Sequence, residues 1–334
     1  MSDKHNNIMV IGEVRHGRLL PVTLELTGKA RELADKKGEN VITLLFFDEL
    51  DFSPEEVIKY GADKVLCVKN ENFSEFNQEI YTNAIVKIIN DINPSVVLTG
   101  ATSSGRTFLP AVAGKINTGL TADCTGLDIE PETGLLLQTR PAIGGNIMAT
   151  IKTPTHRPQM ATVRPKNFPK PEPVERKGEV EYLELPEEIY KTKIEVEKFV
   201  ELEGENVNIQ DLDVIVSGGK GLKRAESYDM LRELAGLLEG GVGATRPPVE
   251  AKWISFPHQV GLSGKVVSPK VYFAVGLSGT VQHMAGMQTS EFIIAVNKDK
   301  EAPIFNISNI GLYGDLFEIV PKIIEAVKKE KGMM

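Results

Sequence analysis

Four clusters in the last third of the chain join glycine to a hydroxyl, an amide or a cation. These residue types hold anionic ligands, by main-chain N–H groups where glycine lets the backbone approach and by fixed positive charge. The first is SGGKGLK, Ser217 to Lys223, directly after a strand-like run. It departs from the dinucleotide fingerprint, because counting from Gly219 the third glycine position is Arg224. The second is GVGATRPP, in which Pro247 is expected to hold the backbone of Arg246 extended and so aim its guanidinium. The third is HQVGLSGK, from His258 to Lys265. The fourth and most specific is GLSGTVQHMAGM, Gly276 to Met287, followed by AVNKDKEAPIF up to Phe305. His283 falls in the first turn of a helix, where the positive helix end disfavours an imidazolium. Asn297 and Asp315 follow strands, where the ligand-facing polar residues of open α/β sheets collect. Taken singly, a bare turn, a solvated arginine or a structural histidine accounts for each cluster. Their ordered set calls for a ligand.

Alternating strands and helices must position these residues. Strand-like runs are Ile8–Gly12, Val41–Phe47, Lys64–Val68 and Ser95–Leu98, with amphipathic helices over Pro21–Lys37 and Ile80–Asn90. Such alternation indicates a parallel sheet covered on both faces. Short, proline-rich extended segments run from Pro131 to Leu202. Polar residues and glycine at 203–210 mark a linker, separating residues 1–202 from a second α/β unit at 211–330. That unit is expected to hold strands at Asp213–Ser217, Val271–Ala274, Phe292–Val296 and Pro303–Asn306, and a last helix over Leu316–Lys328.

Composition narrows the partners. With 334 residues, 41% hydrophobic and 25% charged, the chain suits two globular domains. A net charge of −8 argues against nucleic acid, which wants a basic face. No apolar run approaches the roughly 20 residues of a membrane span, so no membrane insertion is expected. The N-terminus shows no cleavage pattern, and the cytoplasm is the expected location. Cys67 and Cys124 lack C-x-x-C spacing, so neither a disulfide nor a metal site is expected.

The motifs VSGGKGL, GATR, QVGLSGK, GLSGTVQHMAGM, AVNKDKEAPIF and GDLFEIVP stand in the order and spacing of the electron transfer flavoprotein alpha subunits, and the chain closely resembles that family over nearly its whole length. The resemblance implies a nucleotide-alpha-hydrolase-like N-terminal domain contacting a beta subunit, and a Rossmann-like (DHS-like) C-terminal domain carrying FAD. By it, Thr245, Ser278, Gly279, Thr280 and Val281 match positions around the pyrophosphate and ribityl chain, and Asn297 and Asp315 the adenosine end. Arg246, Gln259, Val260, Gly261, Leu262 and Ser263 match loops around the isoalloxazine, and Gln282 and His283 the segment at its pyrimidine edge. Three departures from the pattern stand out. Lys220 stands where arginine is usual, Leu262 where glutamine is common, and Thr245-Arg246-Pro247-Pro248 replaces Ser-Arg-Ala-Ala.

The implied function is carriage of single electrons, without turnover of a substrate by this chain. The partners are a dehydrogenase or NADH-oxidising protein and an acceptor such as ferredoxin or a quinone reductase. A cation about 4 Å from a one-electron-reduced, anionic flavin contributes roughly 4 kcal/mol at an effective dielectric near 20. That is at most about 170 mV for a one-electron couple, so Arg246 is expected to separate the two electron steps. Ser263 is expected to donate to N5, and His283 to add a hydrogen bond and partial charge at O2. The linker is expected to act as a hinge. Two stretches, TGLTADCT (118–125) and TRPAIGGNIM (139–148), are more similar to members linked to electron bifurcation or the nitrogen-fixation-type quinone pathway. Two other classes stay open. A nicotinamide-dependent dehydrogenase would need the missing third glycine, and a non-redox nucleotide-binding module would bind through residues 1–190 alone.

Overall fold

The computed structural model describes residues 5–142, 147–197 and 209–332. The chain divides into two units, Met1–Phe199 and Val200–Met334. Of the expected linker, residues 203–208 lie outside the described residues. Ile209–Asp211 is a single 3-10 turn with Ile209 buried.

The N-terminal unit is built on β1 (Ile8–Ile11), α1 (Pro21–Lys37), β2 (Val41–Phe47), β3 (Lys64–Lys69), α2 (Gln78–Ile92), β4 (Val96–Gly100) and α3 (Gly105–Ile116). It continues with β5 (Leu120–Cys124), β6 (Gly126–Ile129), β7 (Leu136–Pro141), β8 (Met148–Ile151), β9 (Gln159–Val163) and β10 (Glu179–Tyr182). Seven strands form a parallel sheet in the order β10-β3-β2-β1-β4-β9-β5, and β8-β7-β6 form a small antiparallel sheet.

Period-two alternation splits β1 between two cores. Ile8 and Val10 pack with Leu26 and Leu33 of α1, while Met9 and Ile11 pack with Ile85 of α2 and Phe108 of α3. Both faces are therefore covered, which is why all seven residues of β2 are apolar or small and buried. Helix ends are sequence-encoded. Pro21 starts α1, Gly38 closes it at φ 67°, and the Asn77 side chain accepts from the N–H groups of Glu79 and Ile80 at the start of α2. Cys67 and Cys124 are free and buried, and burial pushes both thiols up to about 12. No helix among the described residues is long and apolar enough to cross a membrane.

The C-terminal unit holds β11 (Val214–Gly218), α4 (Tyr228–Leu237), β12 (Gly241–Ala244), α5 (Arg246–Glu250), β13 (Val271–Val275), α6 (Val281–Met284), β14 (Phe292–Asn297), β15 (Ile310–Tyr313) and α7 (Leu316–Glu330). Its strands are all parallel, in the order β12-β11-β13-β14-β15. Val216, Phe273 and Val275 face Leu231, Leu234, Leu316 and Val320 of α4 and α7. Ile215, Tyr272 and Ala274 face a different cover of Val260, Val267, Leu277, Met287 and Ile304. Those residues come from loops and short helices, so on this side the sheet meets segments shaped by glycine and proline.

One expected strand is corrected. Pro303–Ile307 is a 3-10 turn, and the edge strand is the later β15. Ile304 is fully buried and donates its N–H to the carbonyl of Ser278, so this segment serves as a seat for the loop after β13.

Candidate functional site

In the C-terminal unit the chain enters the sheet at β11, moves outward to β12, then returns to β13 on the other side. Between β11 and β13 successive connections part in opposite directions, leaving a crevice at the carboxyl ends of the strands. The loops after these two strands meet there backbone to backbone. The N–H of Gly219 donates to Val275 O and that of Gly221 to Gly276 O, at 3.0 and 2.9 Å. A Cβ on Gly219 would stand 2.4 Å from Gly276 O. The first glycine cluster therefore closes loop against loop, and these two N–H groups are spent on that contact and are not offered to a ligand.

The open N–H groups lie in the fourth cluster. Gly279 takes φ 79°, and the loop turns so that Ser278, Gly279, Thr280, Val281 and Gln282 have no hydrogen-bond acceptor for their N–H groups among the described residues. Four of these residues, all but Val281, line a cavity of about 560 Å³. Thr245 and Arg246 enter it from the end of β12, and Val260, Gly261, Leu262 and Ser263 from the following loop. Lys220, His283 and Asn297 complete the expected lining. Lys223, Asn297 and Asp315 border a recess of about 60 Å³ that shares Gly221, Gly276 and Asn297 with the main cavity. A run of unused donors and a volume in the usual ligand range suit a large ligand with a polar, anionic spine, and the lining sets the cations Lys220 and Arg246 beside the carboxylates Glu250 and Asp299.

Three expected residues lie off the cavity lining. Gln259 is buried behind it and donates from Nε2 to the carbonyl and Oγ of Ser263, at 3.0 and 3.2 Å. Since Oγ accepts there, its own proton remains available. Val281 is exposed. Asp315 borders the recess, and its Oδ1 accepts from Phe317 N, capping α7. Asn297 is fixed in place, donating to Leu277 O and accepting from Asp299 N.

Two local expectations are corrected. Arg246 is helical, the first residue of α5, and the extended residue is Thr245, one position earlier. Proline is tolerated in a first turn because its missing N–H has no partner there and its φ suits the helix. Helical spacing then brings Glu250 to Arg246, with Nε donating to Oε1 at 2.7 Å. His283 is the second correction. Burial pushes its imidazole down to about 4, so the ring is neutral and adds no partial charge. Its ring nitrogens are engaged within the protein, by Val260 O and by the Tyr272 hydroxyl.

Sequence reasoning missed Glu250, Asp299 and Tyr272. The i,i+4 spacing of Arg246 and Glu250 carried a signal, legible only with the segment taken as helix. Nothing local marked Tyr272, whose place beside His283 is tertiary.

The N-terminal unit differs at its own switch point, between β1 and β4. There Glu13, itself buried, accepts from Thr102 Oγ1 with both carboxylate oxygens at 2.8 Å. A Cβ on Gly100 would lie 2.9 Å from Glu13 Oε1. A carboxylate in that position repels a phosphate. The unit's cavity of about 550 Å³ lies elsewhere, bordered by Ile42 and Lys64 at the amino ends of β2 and β3. Of its carboxylates, Asp63, Asp91, Glu179 and Glu181 are paired with Arg31, Lys87 and Lys64, and Glu184 also borders it.

Comparison with known proteins agrees with this division. A family model described as the electron transfer flavoprotein domain matches residues 8–188, and one described as the electron transfer flavoprotein FAD-binding domain matches residues 208–288. The chain belongs to the electron transfer flavoprotein family, among its alpha subunits. It is 45% identical over 98% of its length and 99% of the relative's to electron transfer flavoprotein subunit alpha of Thermoanaerobacterium thermosaccharolyticum. It is 43% identical to the corresponding subunit of Megasphaera elsdenii, covering 99% of this chain and 98% of that one. A third relative is lactate dehydrogenase (NAD(+),ferredoxin) subunit LctC of Acetobacterium woodii, 42% identical over 97% of this chain and 77% of that one. As a member of this family the chain is a flavoprotein subunit of electron transport, with FAD as its cofactor.

Proposed function

We propose that the C-terminal unit holds FAD along the crevice between β11 and β13, and that the chain passes electrons singly between protein partners. The observation that carries this is the convergence of the expected residues, all but Gln259, Val281 and Asp315, on one cavity lined by unused main-chain donors. Bound FAD supplies the redox centre. The residues around it bind, orient and tune it. The N–H groups from Ser278 to Gln282 receive the pyrophosphate, with Lys220 as a point charge nearby. Asn297 and Asp315 mark the adenosine end, and the loop from Val260 to Ser263, with Gln259 behind it, meets the ring. Ser263 keeps its hydroxyl proton for a ring nitrogen, while Arg246 favours added negative charge.

The same reading places the N-terminal unit against a beta subunit in a cytoplasmic heterodimer. Donors are a dehydrogenase or an NADH-oxidising protein, and acceptors ferredoxin or a quinone reductase. A second reading, electron bifurcation, draws on the likeness to the NAD(+),ferredoxin-linked lactate dehydrogenase subunit.

A stepwise reductive titration of the co-purified heterodimer, followed by visible absorbance, tests the proposal. One-electron uptake that weakens in Arg246→Ala supports it, and two FAD per heterodimer favours bifurcation. A colourless complex, or two-electron reduction indifferent to Arg246→Ala, would return the dehydrogenase and nucleotide-module readings to the front.

A further inference from the structure

Tyr272 is fully buried in β13, and its hydroxyl lies 3.1 Å from Nε2 of His283. The other ring nitrogen, Nδ1, lies 3.0 Å from the carbonyl oxygen of Val260. A carbonyl only accepts, so Nδ1 carries the ring proton. In a neutral imidazole Nε2 is then an acceptor, and the tyrosine hydroxyl is the donor. The chain of bonds runs from a central strand, through α6, to the loop that follows α5. That loop and α6 face each other across the cavity. They are joined again where Leu262 N donates to Gln282 O at 2.8 Å. Gly261 and Gly286 leave no room between them, since a Cβ on Gly286 would stand 2.5 Å from Gly261 Cα.

We infer that Tyr272 is a positioning residue of the cofactor site: its hydroxyl locks His283 as the Nδ1–H tautomer, and the locked ring holds the Val260–Ser263 loop at a fixed distance from α6. The functional part of this rests on the crevice being the FAD site; the lock itself does not. A consequence follows for recognition. With both nitrogens bound inside the protein, His283 has no ring proton to give a ligand. Polar contact with the ring's pyrimidine edge then falls to the main-chain N–H groups of α6's first turn, Gln282 among them. A ligand seeking a proton from Nε2 would have to break the Tyr272 bond and reverse the tautomer.

Histidine-ring ¹⁵N–¹H spectra of the full chain, flavin-free and FAD-loaded, test the lock directly. In the unsubstituted protein His283 should show a protonated Nδ1 and a hydrogen-bonded, unprotonated Nε2, unchanged by FAD. In Tyr272→Phe the Nε2 resonance should lose its hydrogen-bond shift or the ring should change tautomer. FAD should also dissociate about tenfold more readily, with the circular dichroism spectrum retained. A protonated Nε2 in the unsubstituted protein overturns the lock without any variant, so misfolding of Tyr272→Phe does not shield it. A folded Tyr272→Phe with unaltered ring signals and FAD affinity overturns it equally. The expected tautomer in a chain that takes up no FAD would sink the cofactor reading and leave the lock standing.

Discussion

Arg246 brings a guanidinium to the cavity, yet its Nε already donates to Glu250 one helical turn on, and both side chains are largely exposed. Exposed pairs of this kind are worth roughly 0.2–1 kcal/mol. Glu250→Gln should therefore raise the first-electron potential of the bound flavin by about 10–40 mV, using 59 mV per factor of ten. Spectroelectrochemical titration reads this directly, and a fall in potential would show that Glu250 aids Arg246. His283 gives a prediction of a different kind. Its pKa in the fold, about 4, lies below the ordinary histidine value near 6.5, because burial penalises the imidazolium. Between these values the unfolded chain binds the proton and the folded one does not. The contribution of His283 is thus full above about pH 6.5 and is lost progressively as pH falls towards 4, by up to roughly 3 kcal/mol. In His283→Gln the urea midpoint should decline less steeply from pH 6.5 to 4.5, and parallel curves would argue against a neutral buried ring.

The loop after β13 has its shape from a single constraint at the scale of elements. Gly279 sits at φ 79°, and an added Cβ would stand 2.5 Å from the N–H nitrogen of Ile304, in the turn that seats the loop. Gly279→Ala has to move that turn and the donor run together. A strained backbone position costs about 1–3 kcal/mol. The variant should lower the melting temperature of the C-terminal unit and lose its flavin absorbance on gel filtration. A fully loaded, equally stable variant would remove the loop from the proposed site. In the N-terminal unit Gly105 marks the close approach of α3 to β4, with Gly100 O 2.0 Å from where a Cβ would lie. That glycine serves packing and has no ligand to explain.

Each unit has cores of its own at the scale of the whole chain, sandwiching the seven-stranded sheet in one and the five-stranded sheet in the other. Such a unit can fold alone when its apolar face is buried within it. A fragment of residues 209–332 should therefore show one cooperative thermal transition and the far-ultraviolet spectrum of a mixed α/β fold. A random-coil spectrum would mean that the cofactor unit depends on the rest of the chain or on a partner subunit. The same fragment measures how much FAD binding belongs to this unit.

Several features were already determined by the sequence. Continuous apolar runs alternating with helical spacing marked most of the buried strands, because runs such as Val41–Phe47 can satisfy their side chains only between two covered faces, whereas the equally buried Gln159–Val163 lies in a stretch whose residues mark it only as extended. The glycine clusters, with their hydroxyls and cations, gave the binding loops, since residue type decides where a backbone can turn and approach. The edge strand was not legible. Ile310–Tyr313 is short and exposed, whereas the apolar Pro303–Ile307 looked more strand-like and is a turn. What only the tertiary structure decided was which donors are used up. Gly219 and Gly221 look like ligand-facing groups in the sequence, but their N–H groups bond the neighbouring loop. His283 looks like a donor, but the carbonyl of Val260 and the hydroxyl of Tyr272, eleven residues earlier, take its two nitrogens. Hydrogen-bond capacity is fixed by residue type, but its use depends on what the fold brings within 3 Å, and that is a long-range property of the packed chain.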